Sequence, residues 1–98
     1  MITDIAEIKK KVDKQRDELK STYNVESLGV FGSVARSENT ETSDIDVLVK
    51  LSKPIGLFKF IELEEHLTQL FGNKVDLVTQ RALKSAIKDE ILREVVYV

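Results

Sequence analysis

Apolar residues recur along this chain with two periods, and the switches between them mark its elements. Over residues 3–21, Ile5, Ile8, Val12 and Leu19 fall near a 3.6-residue repeat. That spacing predicts an amphipathic helix with Thr3 as its cap. Asp4 and Glu7 near its start and Lys20 near its end suit the helix dipole. Tyr23-Asn24-Val25 turns the chain into a first strand over residues 27–31, which Gly32-Ser33 breaks. Val34-Ala35-Arg36 reads as a short helical turn and residues 37–42 as an exposed polar loop. A second strand covers residues 44–51 and stops at Ser52-Lys53-Pro54. Leu57, Phe60, Ile61, Leu63, Leu67 and Leu70 then form a broad stripe that predicts a helix over Leu57–Phe71, with Gly72 ending it. A third strand is expected at residues 74–79 and a last helix at residues 82–94, where Leu83, Ile87 and Ile91 are spaced by four. Residues 95–98 read as a short strand or docked tail. This order predicts an α/β (α+β) fold, a small mixed sheet flanked by helices, in a single domain over residues 1–98. The short connection between the first two strands allows them to be antiparallel.

The second strand brings candidate chemistry into that pattern. Strand alternation puts Ile45, Val47, Val49 and Leu51 on one face and Asp44, Asp46, Leu48 and Lys50 on the other. Asp44 and Asp46 then stand with Cα atoms roughly 6–7 Å apart. At an effective dielectric near 20 their charges repel by about 2–3 kcal/mol. A fold gains nothing from this unless a cation sits between them. With Asp76 on the third strand, three carboxylates fall at strand positions. Mg²⁺ takes oxygen ligands, usually one or two carboxylates plus substrate phosphates. Two such ions can clamp the attacking and leaving oxygens of an in-line displacement. Asp76 is also placed to deprotonate an acceptor hydroxyl. Gly32 lets backbone approach a phosphate closely, the following turn offers amides, and the Ser33 hydroxyl can donate. Arg36, one turn on, is available to a phosphate or to one of the acids.

Each residue alone has an ordinary reading. Gly-Ser is a common strand-to-helix turn, an Asp at a strand start is often a cap, and Asp76 suits an edge strand. The combination at these spacings is far more specific. There is no Walker A sequence, Gly29 and Gly32 do not make a dinucleotide fingerprint, and Asp44-Ile45-Asp46 is not an EF-hand loop. The Lys9-Lys10-Lys11 run reads as a solvated helix face. His66, the one histidine, reads as a surface residue beside Glu62 and Glu65. Ile91, Leu92, Val95, Val96 and Tyr97 read as cover for the sheet rather than as an interface.

Composition narrows the partners. The formal net charge of −2 over 98 residues gives no case for direct nucleic-acid binding. No apolar run approaches the ~18–20 residues of a membrane span. The absence of cysteine and of a signal-peptide core fits a cytoplasmic protein.

Phe31-Gly32-Ser33, then residues 34–43, then Asp44-Ile45-Asp46-Val47 and later Val75-Asp76-Leu77 resemble the signature of the DNA polymerase beta-type nucleotidyltransferase superfamily. Leu28-Gly29-Val30-Phe31-Gly32-Ser33-Val34-Ala35-Arg36 and the Val-Tyr-Val ending are similar to the minimal nucleotidyltransferases, the antitoxin halves of HEPN/MNT toxin–antitoxin pairs. The resemblance covers nearly the whole chain. It implies a nucleoside triphosphate site with Mg²⁺, two ions in all, on Asp44 and Asp46. Asp76 would complete the metal site or act as base, and Gly32 and Ser33 would hold the triphosphate. It further implies transfer of AMP from ATP to a tyrosine of a HEPN-type toxin. One departure is visible: Ser37 follows Arg36 where such proteins often have Gly. Two other expectations stand beside the enzyme. One is a module that neutralises its partner by binding alone. The other, small-molecule adenylylation, is disfavoured because no acceptor-binding domain follows the core.

Overall fold

The computed structural model describes residues 4–40 and 43–98. Helix α1 (Ile5–Tyr23) starts at Asp4, whose carboxylate accepts the Glu7 amide at 2.8 Å. Thr3, the expected cap, lies outside the described residues. Asn24 ends the helix in the left-handed region (φ 58°), so the reversal is complete in one residue. Strand β1 therefore begins at once and runs Val25–Phe31, two residues earlier than the pattern implied. Strand β2 (Ile45–Leu51) follows, then helix α2 (Leu57–Phe71), strand β3 (Val75–Thr79), helix α3 (Ser85–Glu94) and the two-residue strand β4 (Val96–Tyr97).

The four strands form one mixed sheet in the order β3-β2-β1-β4. β1 pairs antiparallel with both β2 and β4, while β2 and β3 run parallel. α2 supplies the crossover that a parallel pair requires. Ile8, Val12, Leu19 and Tyr23 of α1 join Leu63, Leu67 and Phe71 of α2 in one buried cluster. That cluster meets the sheet through Val30, Val47, Val49 and Leu77, among others. Leu48, expected on the same strand face as the acids, is also buried, but outside this cluster.

Two expectations need correction. The last helix does not span residues 82–94. A 3₁₀ turn, Gln80–Ala82, comes first, with the Thr79 hydroxyl accepting the Ala82 amide at 3.2 Å, and α3 starts only at Ser85. The Thr79 hydroxyl caps that turn, and the extended backbone at Leu83 and Lys84 (ψ 128° and 142°) separates it from α3. His66 is not a plain surface residue. It is half-buried, stacked on Tyr23 with ring centroids 5.9 Å apart, and its buried Nε2 has no hydrogen-bond partner among the described residues. The tail does dock, as β4 and a buried Val98.

Candidate active site

Three segments converge at one end of the sheet. β1 delivers Phe31 opposite Asp46. The chain then leaves the sheet at Gly32, whose φ of 75° favours glycine. A Cβ at Gly32 would also collide with the Asp46 carboxylate, so the missing side chain brings backbone onto the acid. Residues 32–37 form the expected turn, closed by Arg36 N–H to Gly32 O at 3.1 Å and Ser37 N–H to Val34 O at 3.1 Å. Val34 is buried and pins this turn to the core. Ser37 sits at φ 59°, a left-handed conformation that a glycine adopts without strain. That gives a physical reason for the glycine often found there in the proteins this segment resembles.

β2 and β3 bring the acids together. In the parallel register Asp46 pairs with Asp76, and directly paired residues point to the same face of a sheet. Asp44 lies two residues before Asp46, just outside the strand, exposed and 4.0 Å from the Lys74 ammonium. Asp76 is exposed and Asp46 half-buried. Burial raises the Asp46 carboxyl above its ordinary range. The charges of Asp76 and then Asp44 raise it further, and Arg36 only partly opposes them. The six residues singled out from sequence thus come from neighbouring segments. Gly32, Asp46 and Asp76 are joined by direct geometry, Asp44 and Arg36 act on Asp46 through charge, and Ser33 sits half-buried in the turn.

Four participants were not visible in the pattern. Glu94, the last residue of α3, accepts the Gly32 amide and the Arg36 Nη1 (2.9 Å) on the same carboxylate oxygen. Arg36 is also bonded to Glu38 at 3.2 Å. Those contacts, Glu38 first, hold its pKa above the ordinary arginine value. The Gly32 amide, read as open to a phosphate, is therefore occupied. Glu64 and Thr68 of α2 accept the Leu77 amide (2.9 Å) and the Val75 amide (3.1 Å), the two that flank Asp76. Only the i, i+4 spacing of Glu64 and Thr68 hinted that one helix face could serve an adjacent strand edge.

Among the described residues no three acidic or imidazole side chains draw close enough to enclose a metal ion. The donor set nonetheless fits Mg²⁺, which keeps several waters and is bound through one or two carboxylates plus substrate phosphates. The mutual repulsion around Asp46 is the sign of a site short of positive charge. A separate groove of about 800 Å³, lined by Leu51, Ile55, Phe60, Thr79 and Arg81 among others, includes none of these residues. It is not where the acids converge, so the chemistry is sought at the acids. No helix among the described residues is long and apolar enough to cross a membrane.

A mixed four-stranded sheet carrying a Gly-Ser turn against paired acids is the architecture of a minimal nucleotidyltransferase. The chain belongs to the nucleotidyltransferase domain family, whose model matches residues 12–98, and it is an enzyme of that class. It is 47% identical over 94 residues to the protein adenylyltransferase MntA of Thermococcus cleftensis, covering 96% of this chain and 95% of the relative. A solved structure assigned as a minimal nucleotidyltransferase superposes with a TM-score of 0.79 at 31% identity, covering 96% of this chain and 95% of the other. The fold also matches, at a TM-score of 0.65 and 19% identity, a complex of a tri-AMPylated Shewanella oneidensis HEPN toxin with its MNT antitoxin, covering 92% and 70% of the two chains.

Proposed function

We propose that this chain transfers AMP from ATP to a tyrosine hydroxyl of a HEPN-type partner in an Mg²⁺-dependent reaction and so acts as an antitoxin. The observation that carries the reading is the register pair Asp46–Asp76 with the Gly32 backbone packed on Asp46. The name of the Thermococcus relative supports protein adenylylation, and the matched toxin–antitoxin fold supports the kind of partner.

In this reading Asp44 and Asp46 hold the metal, with Asp76 as the third carboxylate. A bound Mg²⁺ there would supply positive charge to the triphosphate and to the attacking tyrosine oxygen. Gly32 and Ser33 receive the triphosphate, and Arg36 adds a charge-assisted contact to it. The tyrosine oxygen forms a bond to the α-phosphorus and the bond to the bridging α–β oxygen breaks, so pyrophosphate leaves. The phenolic proton passes to Asp76, which holds it for solvent. Glu64 and Thr68 bond the amides on either side of Asp76, which fixes the carboxylate that takes the proton.

The test uses this protein, Mg²⁺ and a HEPN-type toxin as acceptor, with ATP labelled at the α- or the γ-phosphate. Label on the partner from the α position alone is expected. Asp44→Asn and Asp46→Asn are each expected to reduce it by ~10²–10³-fold, the scale of losing a charge-stabilising group. Label from the γ position alone would mean phosphoryl transfer and would overturn the reading. A second reading, neutralisation by binding alone, has the exposed Leu57 and Phe58 of α2 in its favour (70% and 88% exposed). A stable complex with an unmodified partner, and no label from either position, would establish it instead.

A further inference from the structure

The contact between Glu94 and the Gly32–Arg36 turn is not used by the mechanism above. One carboxylate oxygen, Oε1, takes both the Gly32 amide and the Arg36 guanidinium. These are two of the donors assigned to the triphosphate, and a carboxylate and a phosphate oxygen are equivalent anionic acceptors for such donors. We propose that Glu94 is a built-in stand-in for a nucleotide phosphate. It holds the two donors in the nucleotide-free chain and must give them up when ATP binds, so it gates nucleotide entry. The inference rests on the reading that Gly32 and Arg36 receive the triphosphate.

Nothing else in the fold calls for an acid at this position. Glu94 is the last residue of α3, where the helix dipole disfavours negative charge. Its charge also adds to the crowding around Asp46. Among the described residues, Gly32 and Arg36 are the groups bonded to its carboxylate.

The surroundings let the side chain leave without moving the backbone. The residues just after Glu94 are fixed. Val95 fills the space left by the absent Cβ of Gly29, and β4 pairs with Gly29 and Val30. Val98 bonds Leu28 O through its amide (2.9 Å), and Arg16 bonds Val98 O (2.7 Å). The residues before it are held less firmly, since no side chain of α3 is fully buried and Ile91 and Leu92 are only half-buried. The Glu94 side chain is itself 24% exposed, so water lies within reach of the carboxylate once it swings away.

The test titrates ATP with Mg²⁺ into wild-type protein, Glu94→Gln and Glu94→Ala, with circular dichroism confirming that each is folded. Both variants are expected to bind ATP about five- to tenfold more tightly, the scale of freeing charge-assisted donors. In an Arg36→Ala background the gain from Glu94→Gln is expected to shrink to about half or less, because the charged one of the two freed donors is then missing and only the Gly32 amide is left. If the wild type binds ATP and both folded variants bind equally or more weakly, Glu94 only props the turn and the gate is overturned while the triphosphate reading stands. If neither the wild type nor the variants bind ATP, the triphosphate reading falls and takes the gate with it.

Discussion

Helices α2 and α3 both border the elements that carry the acids, yet they are held in opposite ways. α2 buries Leu63, Leu67 and Phe71, and its polar residues Glu64 and Thr68 reach across to bond the β3 amides. It thereby closes the open edge of an outer strand, a place where unpaired amides otherwise invite other chains. α3 buries no side chain fully, Ile91 and Leu92 are half-buried, Ile87 is 46% exposed, and its last residue reaches the Gly32–Arg36 turn. One helix fixes where Asp76 stands. The other delivers a removable anion. Rigidity has been built where a carboxylate must be placed, and looseness where something has to move.

The comparison breaks first, and with the largest effect, at the two hydrophobic faces. Leu67 is fully buried, so Leu67→Ala leaves a cavity and is expected to cost about 3 kcal/mol in urea unfolding. Ile87→Ala on α3 is expected to stay within about 0.5 kcal/mol. Equal costs at the two positions would mean that α3 is packed after all, and the contrast would fail.

A smaller effect tests the polar half of α2. Glu64→Ala strips the acceptor from the part-buried Leu77 amide and is expected to cost about 1–3 kcal/mol, with faster hydrogen exchange at Leu77. Glu64→Gln keeps an acceptor and should recover most of that loss. If the alanine variant loses neither stability nor protection, the edge is closed by solvent and α2 does not position Asp76.

The same contrast explains what could be read from sequence. α2 was legible to the residue, because a full apolar stripe runs between Gly56 and Gly72 and its packing obeys its period. The acids were legible as a set because strand alternation is local. Their union came only through the resemblance: the parallel register that seats Asp46 beside Asp76 depends on a crossover of over twenty residues, and no local pattern encodes it. The early start of β1 turned on a single left-handed Asn24, and the late start of α3 on the extended Leu83 and Lys84 that follow the 3₁₀ turn. Glu94 was invisible for a plainer reason. On a solvated helix one acid looks like another, and only the long-range contact with Gly32 and Arg36 sets it apart. His66 was misjudged because its partner Tyr23 lies on a different helix.

The smallest effect has the opposite sign from those on α2. Asp46 is pushed above the ordinary carboxylate range by burial first, then by Asp76 and Asp44. An acid whose pKa rises on folding binds more protons in the folded than in the unfolded state between the two pKa values. Stability therefore falls as pH rises through that window and stays reduced above it. With the metal removed by EDTA, Asp46→Asn is expected to melt higher than wild type at pH 7. The gap should close as pH falls below the ordinary Asp value of about 3.9, where both states hold the proton. Melting curves from pH 3 to 8 check this. Two carboxylates of one small protein would then differ in sign: removing Glu64 weakens the fold, whereas neutralising Asp46 strengthens it. An asparagine variant that melts lower at pH 7 would show that Asp46, like Glu64, is there to hold the structure.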